Sequence, residues 1–390
     1  MKTLTKIIAV AIAAIGVAGV AGCSNTSPSA KTITNANWNV RTSTSVEKSF
    51  SERWLTNKEV AEYSIRLTPG SNITYKVSYY DGGHYKTEFF MTYFDWSSVE
   101  GMPEGYAPAE NTKELVYAYT TELAISGKYT FNATNEDKHF DDSVKSVCYY
   151  RLAGDNLQPV YSYQEIKNTA PNEINASTAE SMIIKTDDVY TTYYNYNCTK
   201  ATVVHENNLK QENSTTVKEV GLTSKAGYSL FDNSQLRAAI RAFNLSSGAS
   251  HVFNVLVPQN GAVQTCYASS GGAPIELTST LLDESETASE TNEVEKEKQQ
   301  IIDALDGCGD YIVIDKGTGE NALNYRYSSV TMGLSTDTTM VGSAPTLWYS
   351  SVENSEINYC RSVLLRISTP LSFGLGTLNY TLKSLSLQTV

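Results

Sequence analysis

Two pairs of adjacent aspartates are the first candidates for chemistry in this 390-residue sequence. The pairs are Asp141 with Asp142 and Asp187 with Asp188. A glycosidase needs two carboxyl groups that flank one bond, whereas neighbouring residues on a strand point to opposite faces of a sheet. This spacing favours turn or solvated carboxylates over a catalytic pair.

The other residue types that carry catalysis or bind metals are sparse. The four histidines are His84, His139, His205 and His251, and no two of them have the i, i+4 or His-x-His spacing of metal ligands. The sequence contains no Gly-x-Ser-x-Gly elbow, no phosphate-binding loop and no dinucleotide-binding glycine motif. We therefore expect no enzymatic activity, no cofactor and no metal site.

Tyrosine is unusually frequent, with 26 residues, and several tyrosines are clustered. The clusters are Tyr79-Tyr80, Tyr149-Tyr150, Tyr193-Tyr194 and Tyr196. Because a tyrosine ring offers a flat apolar face with a polar tip, such clusters could form a platform for sugars or peptides. The alternative is that the rings pack against one another across strands.

Residues 1–22 have the pattern of a secretory signal peptide. Lys2 and Lys6 precede an apolar run of about 14 residues, which is too short to span a bilayer of roughly 30 Å. Residues 20–23 resemble a bacterial lipobox, and this resemblance implies that Cys23 becomes the lipidated N terminus after cleavage. The alternative is an ordinary signal peptide with a chance cysteine. The expected location is extracytoplasmic, with the protein lipid-anchored to a bacterial cell membrane or cell envelope.

The charge of the chain excludes one class of partner. After removal of Lys2 and Lys6 with residues 1–22, 28 lysines and arginines (30 less 2) face 42 aspartates and glutamates, a net charge of about −14. This surface repels phosphate backbones, so nucleic acid is not an expected partner.

Five cysteines follow Cys23, and none of them is part of a Cys-x-x-Cys motif. Outside the cytoplasm they could pair, but an odd number leaves at least one thiol. Spacing alone does not assign the pairing among Cys148, Cys198, Cys266, Cys308 and Cys360.

Composition divides the mature chain into a polar tether at 23–50 and a single β-rich domain at 51–390. Short alternating segments with turns between them predict an antiparallel meander, including two short strands on either side of Gly127. An acidic insertion at about 281–302 interrupts this pattern and predicts a solvated helix or a disordered segment. A domain boundary near residue 280 is the alternative.

The stretch 229–257 holds a helical pattern within strand-like sequence. Leu236, Ala239, Ile240 and Phe243 recur at i, i+3, i+4 and i+7, which predicts one apolar helix face. Asp232 and Gln235 have the spacing of a capping box, and Gly248 follows as a stop signal. A helix of roughly 12 residues is marginal alone, so it should pack on a sheet.

Three parts of the chain resemble a family of uncharacterised DUF-type extracytoplasmic β-proteins related to lipoprotein-carrier half-barrels. The matching parts are 231–236 with 241–245 and 253–257, then Trp348-Tyr349, then 364–367 with 378–384. The resemblance implies a curved antiparallel sheet, as a half-barrel or open barrel, that wraps over one short helix and has an apolar concave face.

Two functions follow from these expectations. In the first, the lipid-anchored protein binds an apolar or amphipathic envelope molecule on the concave face behind the helix. In the second, it is a structural or interaction module of the cell envelope, and its tyrosine-rich surface contacts a protein or a glycan. The size of the cavity between helix and sheet distinguishes the two.

Overall fold

The chain folds mainly as β structure. A computed structural model describes residues 31–32, 57–72, 74–79, 83–153, 156–171, 183–209, 214–222, 229–241, 250–270, 275–277, 290–306, 325–335, 345–350, 363–371 and 374–389. Over these ranges one sheet contains 18 strands. In chain order they are β1 (Lys31–Thr32), β2 (Asn57–Pro69), β3 (Tyr75–Tyr79), β4 (His84–Asp95), β5 (Lys113–Phe131), β6 (Glu136–Ala153), β7 (Asn156–Pro171), β8 (Ile183–Tyr194), β9 (Lys200–Asn207), β10 (Ser214–Gly221), β11 (Leu230–Asp232), β12 (Ser250–Val257), β13 (Ala262–Ser270), β14 (Ile275–Leu277), β15 (Tyr325–Ser335), β16 (Thr346–Ser350), β17 (Leu364–Leu371) and β18 (Gly376–Thr389).

Helices form a small part of the structure. Within the described ranges the α-helices are α1 (Leu236–Ile240) and α2 (Glu290–Asp306), and two single 3₁₀ turns occupy Trp96–Ser98 and Asn233–Gln235. Among the described residues, no helix combines the length and the apolar character that a membrane crossing requires.

The strands pair mainly with antiparallel neighbours. From one edge to the other the order is β10, β9, β8, β7, β6, β5, β4, β2, β18, β17, β16, β15, β13, β12. β3 also pairs with β5, β14 pairs with β15, and β1 and β11 run parallel to β12. Within the described ranges β10 pairs only with β9, so the sheet is open. Strands on both sides of 281–302 belong to this sheet.

Alternation along the strands creates an inner and an outer face. On β4 the inner residues Tyr85, Thr87, Phe89 and Met91 are buried, and the residues between them are at least partly exposed. The sheet curves strongly, because Tyr194 on β8 and Tyr349 on β16 both donate hydrogen bonds to the same short segment, 232–237. The inner face is therefore concave.

The prediction of two short strands about Gly127 is wrong. β5 is one strand of 19 residues that runs through Gly127. A Cβ atom at this position would lie 2.2 Å from the carbonyl oxygen of Ser78 and 2.7 Å from the Phe140 ring. The glycine therefore allows a close approach of β3 and β6 rather than breaking the strand.

The acidic insertion is helical from residue 290, but the solvated interpretation is wrong for its second half. In α2, Ile301, Ile302, Ala304 and Leu305 are buried. The Gln300 amide donates to the carbonyl oxygens of Thr381 (3.1 Å) and Leu382 (2.9 Å) on β18. The helix covers the outer face of this strand, because an apolar stripe lies between its charged positions. Residues 281–289 lie outside the described ranges.

Part of the predicted tether is ordered. Residues Lys31 and Thr32 form β1 and pair with His251 and Val252 of β12. Cys23 and the rest of 1–50 lie outside the residues that the structure describes.

Candidate functional site

The segment from β11 through α1 lies on the concave face and carries the expected capping box. The Asp232 carboxylate accepts a hydrogen bond from the Ser234 backbone at 2.7 Å, and the Gln235 side chain accepts one from the Asp232 backbone at 2.9 Å. The box starts a 3₁₀ turn that continues into α1. Local sequence therefore orients this segment.

The second carboxylate oxygen of Asp232 fixes the segment to the sheet. Ser162 on β7 donates to it at 2.7 Å, and Tyr194 on β8 donates to it at 2.5 Å. Burial raises the pKa of this carboxyl, while the hydrogen bonds from Tyr194 and Ser162 act in the opposite direction. Asp232 therefore serves as a structural anchor between the helix start and two strands.

The structure places three of the four predicted helix-face residues in the core. Leu236, Ala239 and Ile240 each have 0% of their surface exposed. Phe243 and the predicted stop at Gly248 lie outside the described residues. α1 ends at Ile240, so the described helix is shorter than the helix that the sequence predicts.

Both arginines of this segment, Arg237 and Arg241, point towards the sheet. The guanidinium of Arg241 forms two hydrogen bonds with the Glu59 carboxylate, at 2.9 Å and 3.0 Å. Arg237 instead donates from Nη1 to the hydroxyl of Tyr85 and lies over the Tyr85 ring at 5.2 Å. Helical periodicity does not predict this burial. The burial depends on the strands of the sheet that curve around the segment.

A small cavity lies between α1 and the sheet. Its volume is about 20 Å³, and its walls include Tyr119, Thr121, Ser146, Gln164, Ser234 and Arg237. The walls of this cavity are mixed: Leu123, Val144 and Leu236 are apolar, whereas the Thr121 and Ser146 hydroxyls bond to each other at 2.7 Å. A cavity of this size holds about one water molecule, so it has no room for a lipid-sized guest.

The convex face carries a row of aromatic rings across β6, β7 and β8. The Tyr149 and Tyr161 centroids are 6.1 Å apart, and those of Tyr161 and Tyr193 are 5.7 Å apart. These residues are direct neighbours in the strand register. We call Tyr149, Tyr161 and Tyr193 the tyrosine row.

One end of the tyrosine row is covered and the rest is accessible. Tyr193 is buried and donates to the Glu100 carbonyl oxygen at 2.9 Å, in the loop between β4 and β5. Tyr149 and Tyr161 are half-buried. Burial raises the pKa of Tyr161 to about 12, so its hydroxyl keeps its proton at neutral pH. The predicted packing of tyrosine rings across strands is present in this row, and their use as a platform for sugars or peptides stays a prediction.

The other tyrosine clusters are divided between the two faces. Tyr150 and Tyr194 are fully buried on the concave side, next to Tyr149 and Tyr193 on the convex side. Tyr196 is 40% exposed and lies under the Arg151 guanidinium at 3.9 Å from its ring centroid. Tyr80 is outside the described residues.

The aspartate pairs divide between the faces of the sheet. Asp142 is buried and accepts a hydrogen bond from the Thr169 backbone at 2.7 Å, whereas Asp141 is exposed. Asp188 contacts His205 at 2.9 Å. No group of three or more potential metal ligands occurs in the described part of the chain.

The thiols show no sign of activation in the part of the chain that can be described. Burial raises the pKa of Cys198 to about 12 and also raises that of Cys148. Both are thus protonated at neutral pH, which disfavours nucleophilic chemistry. Cys308 and Cys360 lie outside the described ranges.

Comparisons with known proteins give a similarity in structure but no match in sequence. No protein-family model matches the chain, and no curated protein matches it. Among solved structures, the chain is similar to the crystal structure of a beta-barrel-like protein of domain of unknown function DUF1849 from Brucella abortus. The sequences are 7% identical and the TM-score is 0.38, over 86% of this chain and 99% of that chain. Because the TM-score is this low, the assignment of a mainly β fold rests on the strand pairing of this chain.

Proposed function

We propose that this chain is a lipid-anchored, extracytoplasmic protein of the bacterial cell envelope that contacts a glycan through its convex face. The observation that carries the proposal is the tyrosine row, in which Tyr149 and Tyr161 remain half-exposed and side by side. Tyrosine rings stack on the apolar faces of sugars, and their hydroxyls exchange hydrogen bonds with sugar hydroxyls.

Charge around the row favours an uncharged ligand. Lys145 pairs with Glu122 at 3.3 Å, and Lys167 pairs with Glu165 at 3.1 Å, both on the same face as the row. Glu100 and Glu206 also lie near Tyr193, so an acidic partner is disfavoured at this surface. A neutral polysaccharide therefore suits this surface better than a nucleic acid or an acidic peptide.

The alternative of an apolar guest on the concave face has less support. It requires space between α1 and the sheet, and the cavity there has a volume of only about 20 Å³. The helix residues that would line a guest site instead pack in the core. Carriage of an envelope lipid would require α1 to leave the sheet.

The test is co-sedimentation of the purified mature protein with insoluble cell-wall glycan. We expect the wild-type protein to sediment with the glycan. The double variant Tyr149→Ala, Tyr161→Ala should be retained roughly 30-fold less, because each lost ring removes about 1 kcal/mol of stacking and about 1.4 kcal/mol corresponds to a factor of ten. Tyr161→Phe should lie between the two, since it keeps the ring.

The control is Val217→Ala on β10, which removes an apolar side chain that is 68% exposed outside the row. Its retention should equal that of the wild-type protein. The proposal is wrong if no glycan retains the wild-type protein. It is also wrong if the double variant is thermally stable and is retained as strongly as the wild-type protein.

A further inference from the structure

Arg237 is a buried cation without an acidic partner. Its exposure is 8%, and its side chain bonds to the neutral hydroxyl of Tyr85. Among the described residues, no carboxylate lies within salt-bridge distance of it, whereas Arg241 on the next turn pairs with Glu59 at 2.9 Å. Because a guanidinium remains charged in proteins, this burial carries a large desolvation cost.

The cavity lies directly against this guanidinium. The bond to Tyr85 uses one of the five guanidinium N–H donors, and the Arg237 side chain lines the cavity wall. Ser234 also lines this cavity and is buried, and its side chain lies within hydrogen-bonding reach of the Asp232 carboxyl. Two polar side chains that are more than nine-tenths buried therefore border one space.

The remaining walls combine hydroxyl and amide groups with apolar side chains and contain no acidic residue. They comprise Tyr85, Tyr119, Thr121, Leu123, Val144, Ser146, Gln164, Asn233 and Leu236, none of which is acidic. The other buried ionisable group of the segment, Asp232, is already bonded by Ser162, Tyr194 and the Ser234 backbone. Among the residues that line the cavity, Arg237 is the one that carries a formal charge at neutral pH.

We propose that this cavity is a binding site for one monovalent, chloride-sized anion, held by Arg237 and the surrounding hydroxyl and amide groups. A volume of about 20 Å³ fits a single small ion and excludes phosphate or a lipid head group. The anion offsets the charge of Arg237 and accepts hydrogen bonds from donors that the fold leaves available. It ties α1 to β4, β5 and β7.

Bromide tests this site, because it resembles chloride in size and scatters X-rays anomalously. The full mature protein is melted in sodium bromide from 1 to 100 mM, with sodium gluconate holding the ionic strength constant. We expect the melting temperature to rise by roughly 3 °C for the wild-type protein. Arg237→Met should lose this rise, and Arg66→Met, at a surface arginine that is 41% exposed, should retain it.

Crystals grown in bromide give the second measurement. An anomalous peak beside the Arg237 guanidinium supports the site, and this result decides alone if Arg237→Met does not fold. The proposal is overturned if the wild-type melting temperature does not depend on bromide, if Arg237→Met retains the full rise, or if the cavity contains only water at 100 mM bromide.

Discussion

Inside this protein, tyrosine hydroxyls form hydrogen bonds between segments that are distant in sequence, a role that charged groups could also fill. Tyr63 donates to the Leu364 carbonyl at 2.9 Å, Tyr129 to that of Thr169 at 3.0 Å, and Tyr349 to that of Arg237 at 3.0 Å. Each ring fills core volume while its hydroxyl satisfies a backbone acceptor. A high tyrosine count with few charges is therefore suited to a curved sheet that must bury many strand residues.

Asp142 gives a pH dependence that can be predicted at the level of one residue. Burial raises its pKa from 3.8 to about 8, despite the hydrogen bond from the Thr169 backbone. The folded protein thus keeps a proton that the unfolded chain releases above about pH 4. The contribution of Asp142 to the free energy of unfolding is therefore largest below that pH and is lost as the pH rises towards 8.

Asp142→Asn should remove this loss, because the amide stays neutral and its oxygen can still accept from Thr169. We expect the variant to gain about 2 to 4 kcal/mol over wild type at pH 8 and to match it near pH 4. Urea unfolding at pH 4, 6 and 8 measures the difference. Asp141→Asn, on the exposed face of the same strand, is the control. Parallel curves for Asp142→Asn and wild type over this range would contradict the prediction.

Elements were predictable from the sequence where a local pattern decides the structure. The capping box at Asp232 and Gln235 is confirmed, because both of its hydrogen bonds join residues three positions apart or fewer. Alternation likewise predicted most strands of the sheet. Gly127 was misinterpreted, since the close contact that requires it comes from β3 and β6 rather than from its own strand.

The candidate site was less predictable, because distant strands decide it. Nothing in the periodicity of 229–241 distinguishes Arg237, which borders a cavity, from Arg241, which pairs with a residue 182 positions away. The tyrosine row also depends on the register of three strands. Only the tyrosine count signalled it in advance.

The packing of α2 leads to a prediction at the scale of one element. Ile302 is 1% exposed, and Glu297 bridges Arg66 at 3.1 Å and Arg366 at 3.5 Å on the outer face of the sheet. Ile302→Ala should cost roughly 2 to 4 kcal/mol of local stability, because it leaves a cavity under the helix. Hydrogen exchange should then become faster across α2.

The exchange of β4 to β8 should stay unchanged in this variant, since α2 packs mainly on β18. Asp303→Ala, on the exposed side of the same turn, is the matched control and should leave α2 protected. A global increase in exchange would show that α2 unfolds only with the whole sheet.

At the scale of the whole molecule, the open sheet has one edge close to the expected anchor. β1 pairs Lys31 with His251 at the β12 edge, only eight residues after Cys23. A fully extended chain of that length spans roughly 30 Å. If Cys23 is lipidated, the β12 edge lies within this distance of the membrane. β11, which pairs with β12, also contacts β7 through the Ser162–Asp232 hydrogen bond, so the strand that carries Tyr161 lies near the same edge.

The anchor itself provides the last prediction. If residues 20–23 act as a lipobox, the N-terminal peptide of the purified protein should begin at Cys23 and carry acyl chains, since more than one chain is needed for stable membrane attachment. Mass spectrometry of that peptide and labelling with a fatty acid measure this directly. Cys23→Ala should incorporate no label, and Ser24→Ala should label as wild type does. An unmodified N-terminal peptide from the wild-type protein would remove the anchor, and the convex face would then have no fixed distance from the membrane.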